Sequence, residues 1–98
     1  MEILGFKLWT GEDIIAELVS EDEGYVTLGK PGAVYQPQAD QIMLQPWPVF
    51  NQQDNIVLPR DKIVTRYKVS KQLEDYYLQA TSKVQIATGE QTKQILTG

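Results

Sequence analysis

The sequence has no cysteine and no histidine. The first absence removes any disulfide framework and all thiolate chemistry. Together they remove a zinc site of the usual kind and every Cys–His or Ser–His nucleophilic pair. Carboxylates are present, but no nucleophile, base and orienting group can be assembled around them, so the chain reads as a non-enzyme without a cofactor. Long apolar runs are missing as well. Nothing approaches the roughly 20 residues of a membrane span. The opening Met1-Glu2-Ile3-Leu4 carries neither the basic region nor the apolar stretch of a signal peptide. The expectation is a soluble, cytoplasmic protein with no membrane partner.

What is present fits one globular domain, 1–98, with 42% hydrophobic residues. A chain of this size buries roughly 60–65% of its unfolded surface, so its core is marginal alone and association would help. The net charge of −4 speaks against a nucleic-acid binder. Its distribution speaks less clearly. Residues 1–24 hold seven acids and one base, whereas residues 60–71 hold five of the nine bases (Arg60, Lys62, Arg66, Lys68, Lys71) and one acid. That segment is either a solvated strand face or a local phosphate-attracting patch.

Most of the chain reads as strand. Ile3 to Trp9 is the first, with Ile3 weakly held at its end. Asp13 to Val19 is the second, with Ile14, Ala16 and Leu18 on one face by their two-residue spacing. Gly11 fits the tight turn between them. Asp22, two residues before Gly24, has the chemistry of a turn carboxylate. Tyr25 to Leu28 is a short third strand, broken by Gly29-Lys30-Pro31-Gly32, beyond which Ala33 to Tyr35 can continue. Gln41 to Phe50 has strand composition, but Pro46 and Pro48 flank Trp47, so it is an edge strand or one that stops at Pro46. After the polar loop 51–55, Ile56 to Leu58 and Lys62 to Val69 flank a tight turn at Pro59-Arg60-Asp61. In the last strand Ile63, Thr65, Tyr67 and Val69 are expected inward, and Val64, Arg66 and Lys68 outward.

After Val69 the period changes. Leu73, Tyr76, Tyr77, Ala80, Val84 and Ala87 form one helical stripe. Ser70 is a good N-cap, Glu74 and Asp75 suit the first turns, and Gly89 suits the position past the end. The spacing predicts a helix over about 71–87, within a helical segment 70–89 that docks through its stripe. The polar tail 90–98 is expected to fray.

The spacing of Leu8, Gly11, Ile14, Ala16, Leu18 and Asp22 resembles the first motif of the Sm/LSm family. Tyr25-Val26 stands where that family has Met-Asn, and Val26 cannot hydrogen-bond a base. Leu58 and Ile63 match the second motif, but Pro59-Arg60 replaces its Arg-Gly. Ser70 to Tyr77 resembles the C-terminal part of Sm-like sequences from marine cyanophages, which would place the protein in a host cytoplasm. The resemblance covers about residues 3–69. It implies an all-β fold: a small, strongly bent five-stranded Sm-like barrel, here with a C-terminal α-helix. It also implies a cyclic homo-oligomer closed by edge strands, the arrangement an open sheet favours.

Two functions follow from different classes. One is a non-catalytic ring that binds single-stranded RNA or DNA, with Asp22, Tyr25, Arg60 and Lys62 as the nucleic-acid-binding residues and Tyr25 stacking on a base. The other is a ring-shaped scaffold that binds a protein partner, with Trp47 as a rigid anchor between prolines. Each residue has a plainer reading: Tyr25 as strand packing, Asp22 as a turn carboxylate, Arg60 and Lys62 as solvated turn charges, and Trp47 as a cover over the barrel end.

Overall fold

The computed structural model describes residues 2–86. Six strands precede one helix: β1 (Ile3–Leu8), β2 (Asp13–Glu21), β3 (Tyr25–Gln38), β4 (Gln41–Pro46), β5 (Asn55–Pro59), β6 (Ile63–Lys68) and α1 (Lys71–Ile86), with a 3-10 turn over Arg60–Lys62. All pairing is antiparallel. The order across the sheet is β4-β3-β2-β1-β6, and β5 pairs with the other end of β3. The sheet is open, because no ladder joins β5 to β6.

The expected one-face pattern of β2 places Ile14 and Ala16 in the main core with Leu4, Phe6, Leu8, Val26 and Leu28, and Leu18 packs against it. Leu58 of β5 and Ile63 of β6 touch this same cluster from opposite sides of the sheet. The sheet is therefore rolled around Phe6 and Ile14. The other face of β1 and β2 carries Ile3 and Ile15, which α1 covers with Tyr77, Leu73 and Leu78. β2 is thus buried on both sides in its middle, and Ile3 is firmly packed.

Bulges account for the departures from strict alternation. β3 is one continuous strand, and no break falls at Gly29-Lys30-Pro31-Gly32. β2 pairs Ile15 with Gly32 and Glu17 with Gly29, which sets Lys30 and Pro31 opposite Ala16 alone. A bulge absorbs a residue that cannot donate to the ladder, and Lys30 there takes a positive φ of 48°. A second bulge lies where β6 meets β1, between Lys7 and Leu8. It divides the set expected to face inward: Ile63 joins the main core, Val69 joins the helix side, Thr65 is exposed, and Tyr67 lies against the opposite face at Gly5. The expected strand Gln41–Phe50 stops at Pro46 as β4, and the expected strand Ile56–Leu58 is β5.

The helix starts as expected, with the Ser70 hydroxyl accepting from Leu73 N–H at 3.1 Å. Its stripe is rotated. Leu73, Tyr77 and Leu78 pack inward, Ala80 is half-buried, and Tyr76 is 40% exposed on the flank. The Val84 side chain, Ala87, Gly89 and the tail 90–98 lie outside the described residues. Tyr77 is 3% exposed, and its hydroxyl donates to the carbonyls of Gly29 (3.1 Å) and Lys30 (2.9 Å). The helix therefore docks on the β3 bulge. Desolvation drives the Tyr77 phenol far above its ordinary value.

Two stability predictions follow from this packing. Tyr77→Ala should cost about 3–5 kcal/mol in denaturant unfolding, and Tyr77→Phe about 1–2 kcal/mol, because it removes the one hydroxyl proton that the two carbonyls share. At Gly5 a Cβ would collide with the Tyr67 ring. Gly5→Ala should cost roughly 1–3 kcal/mol, and Tyr67→Ala in that background should cost less than it does in the wild type.

Candidate nucleic-acid interface

Three of the four expected residues meet at one corner. β2 ends at Glu21, and a tight turn returns the chain into β3 at Tyr25. Asp22 holds that turn: its Oδ1 accepts from Gly24 N–H (2.9 Å) and Tyr25 N–H (2.8 Å). These backbone bonds hold the Asp22 carboxyl below its ordinary value. The turn-carboxylate reading of Asp22 therefore holds. Tyr25 pairs with Pro59 across the ladder, and Arg60 N–H donates to Gly24 O at 2.9 Å. The Arg60 guanidinium donates to Asp22 O at 2.8 Å. Tyr25 is not a core residue, since 54% of it is exposed.

Lys62 turns the other way. Its Nζ lies 5.1 Å from the centroid of the Trp9 ring, and its carbonyl accepts from Trp9 N–H at 2.9 Å. The 3-10 turn is thus bonded to the start of β3 on one side and to the end of β1 on the other. It straps together the two margins that no ladder joins. Trp9, 65% exposed, is the residue that sequence reasoning passed over. Its position at the end of an apolar strand gave no sign that a distant lysine would cover its ring.

The basic segment is partly neutralised. Arg66 sits opposite Phe6 on the main-core face and grips Glu21 with two bonds, of 2.8 and 3.1 Å. Arg60 lies 3.6 Å from the same carboxylate, and Lys71 pairs with Asp75. The Arg66 hydrogen bonds, helped by the charges of Arg66 and Arg60, keep the Glu21 carboxyl below its ordinary value. Lys62 and Lys68 make no ion pair among the described residues.

Trp47 is half-buried and packs against the main core, with its main-chain N–H bonded to Pro31 O. The loop after it presents Val49, 55% exposed, and Phe50, 93% exposed. Asn51 shapes that loop by bonding to the carbonyls of Pro48 and Trp47.

A separate polar group occupies the helix-side face of the sheet. Lys7 Nζ pairs with Asp13 at 2.8 Å, and the Tyr67 hydroxyl donates to the other Asp13 oxygen at 2.8 Å. Burial works against the Asp13 charge, but the Lys7 and Tyr67 hydrogen bonds still leave its carboxyl below the ordinary value. Burial, then the bond to Asp13, pushes the Tyr67 phenol up to about 12. Beside Asp13 an open depression of about 420 Å³ runs along Gly11, Ala33, Val34, Tyr35 and Gln45, and none of the four expected residues lines it. Among the described residues no helix is long and apolar enough to cross a membrane, and no cluster of three or more acids is placed to hold a metal. No protein-family model matches the chain, and no curated protein matches it significantly.

The pH dependence has two limbs. Asp13, Glu21 and Asp22 are all held below their ordinary values, so their contribution is complete above about pH 5 and is lost as the pH falls through the depressed values. Glu21→Gln should make the acid limb of stability against pH shallower. The Tyr67 value is raised, so its contribution is complete below about pH 10 and is lost as the pH climbs through about 12. Tyr67→Phe should flatten that alkaline limb in thermal melts.

Proposed function

We propose that this chain is an Sm-like subunit. In this reading its rolled sheet forms a small barrel closed by the 3-10 strap, copies join through edge strands into a ring, and the ring binds single-stranded RNA or DNA without catalysis. The observation that carries the reading is the corner where the two motif-like segments meet. The Asp22 turn and the Arg60 turn are bonded to each other, with the exposed Tyr25 ring beside them. An exposed aromatic next to cations is what sequence-tolerant binding of single strands requires. The ring is supported by the margins of the sheet. Among the described residues β5 and β6 each have an unpaired edge, and each strand exposes a valine, Val57 at 58% and Val64 at 66%. Such edges favour pairing with another copy, and head-to-tail pairing closes when the rotation permits.

One observation favours the second reading, a ring that serves as a protein scaffold. Glu21 occupies both Arg60 and Arg66, and the most exposed large apolar side chain among the described residues, Phe50, stands on a loop braced by Asn51. Phe50 replaces the half-buried Trp47 as the anchor to change first in that case.

The purified protein is expected to run in light scattering as a closed ring of roughly five to seven copies; a monodisperse monomer at micromolar concentration counts against the ring. Salt-titrated binding to short oligo(U) and oligo(dT) tests the ligand. Arg60→Ala with Lys62→Ala should weaken binding across sequences and lower the slope of log affinity against log salt by about 0.7 per lost contact. Tyr25→Ala should cost roughly 1–3 kcal/mol of binding with little change in slope. A wild-type ring that binds neither oligonucleotide at low salt removes this reading in favour of the scaffold.

A further inference from the structure

We infer that Trp9 and Lys62 form a second base-stacking position, so that single-stranded nucleic acid crosses the 3-10 turn between two aromatic platforms, Tyr25 and Trp9. The inference rests on the nucleic-acid reading and extends it to residues outside the motif-like segments. Trp9 belongs to neither apolar cluster and is 65% exposed, so packing does not explain a tryptophan there. Its backbone is nonetheless held, since the Trp9 main-chain N–H bonds to Lys62 O, and the Lys62 ammonium lies 5.1 Å from the ring centroid. That pairing orients a flat apolar surface beside a positive charge, and Lys62 makes no ion pair among the described residues.

The placement relative to Tyr25 is fixed by backbone bonds. The turn is tied to Gly24 through Arg60 N–H and to Trp9 through Lys62 O. The two aromatic positions therefore flank one short turn. Each ring has a cation of the turn on its side: the Arg60 guanidinium on the Asp22 carbonyl in the turn that leads into Tyr25, and the Lys62 ammonium at Trp9. Two rings, each with a cation at hand, suit a strand whose bases stack while its phosphates follow the turn.

The test titrates the intact protein with oligo(dT) and oligo(U) while following tryptophan emission and affinity. The chain has two tryptophans, and Trp47 packs against the core, so a quench on binding is expected to come from Trp9 and to vanish in Trp9→Phe. Trp9→Ala should lose roughly five- to a hundred-fold in affinity with an unchanged salt slope, and Trp9→Phe should keep most of it. Lys62→Ala should lower the slope by about 0.7. Melting temperature and oligomer size should match the wild type, because both side chains are exposed. If the wild type binds but Trp9→Ala binds equally well, or the quench survives in Trp9→Phe, the second platform is overturned while the Tyr25 corner stands. If the wild type binds neither oligonucleotide, both readings fall together.

Discussion

The bulge that sets Lys30 and Pro31 against Ala16 is the constraint on which the rest of the structure depends. A sheet of this size must enclose one apolar face by rolling and cover the other with something else. A bulge adds local bend and twist, and this one falls at the middle of the two longest strands. On the inside, the roll brings Leu58 and Ile63 onto the core that Phe6 and Ile14 begin. On the outside, it presents the Gly29 and Lys30 carbonyls to the helix, and the Tyr77 hydroxyl bonds to them. The helix thus takes its position from the same irregularity that curls the sheet. A burial requirement and a hydrogen-bond requirement are met at one place.

Local chemistry was legible in the sequence. The two-residue spacing of Ile14, Ala16 and Leu18 marked the core face of β2. Gly11, with a φ of 96°, marked the first turn, and Ser70 with Leu73 and Tyr77 marked the helix. Asp22 was readable as a turn carboxylate because its hydrogen bonds reach only two and three residues ahead. What escaped reading depends on partners far along the chain. Period-two reasoning fails at a bulge, so the continuity of β3 and the divided faces of β6 were hidden. The flank position of Tyr76 reflects the helix rotating toward Leu78, a choice made by the sheet beneath it. Tyr25 and Trp9 could not be assigned to the surface, since an aromatic in a β-rich segment is ordinarily packed.

Charge shows the same division between composition and placement. Five bases in twelve residues look like an anion site on paper. In the fold, Glu21 from the acidic third reaches Arg60 and Arg66, and the Lys71–Asp75 pair is local to the helix. Exposed pairs of this kind contribute little to stability, but they decide which cations remain to meet a ligand. Lys62, committed to a ring and not to a carboxylate, is the clearest example.

The loop from Trp47 to Asp54 divides one margin of the sheet into β4 and β5, of six and five residues. A long, straight margin can accept almost any extended chain in almost any register, which is how uncontrolled fibrous growth begins. Two short segments separated by a braced loop, with Pro46 and Pro59 ending them, accept few partners and few alignments. Interrupting the margin costs this small domain some ladder hydrogen bonds. In exchange, disordered self-association is hard to start, while a partner of matching geometry can still dock.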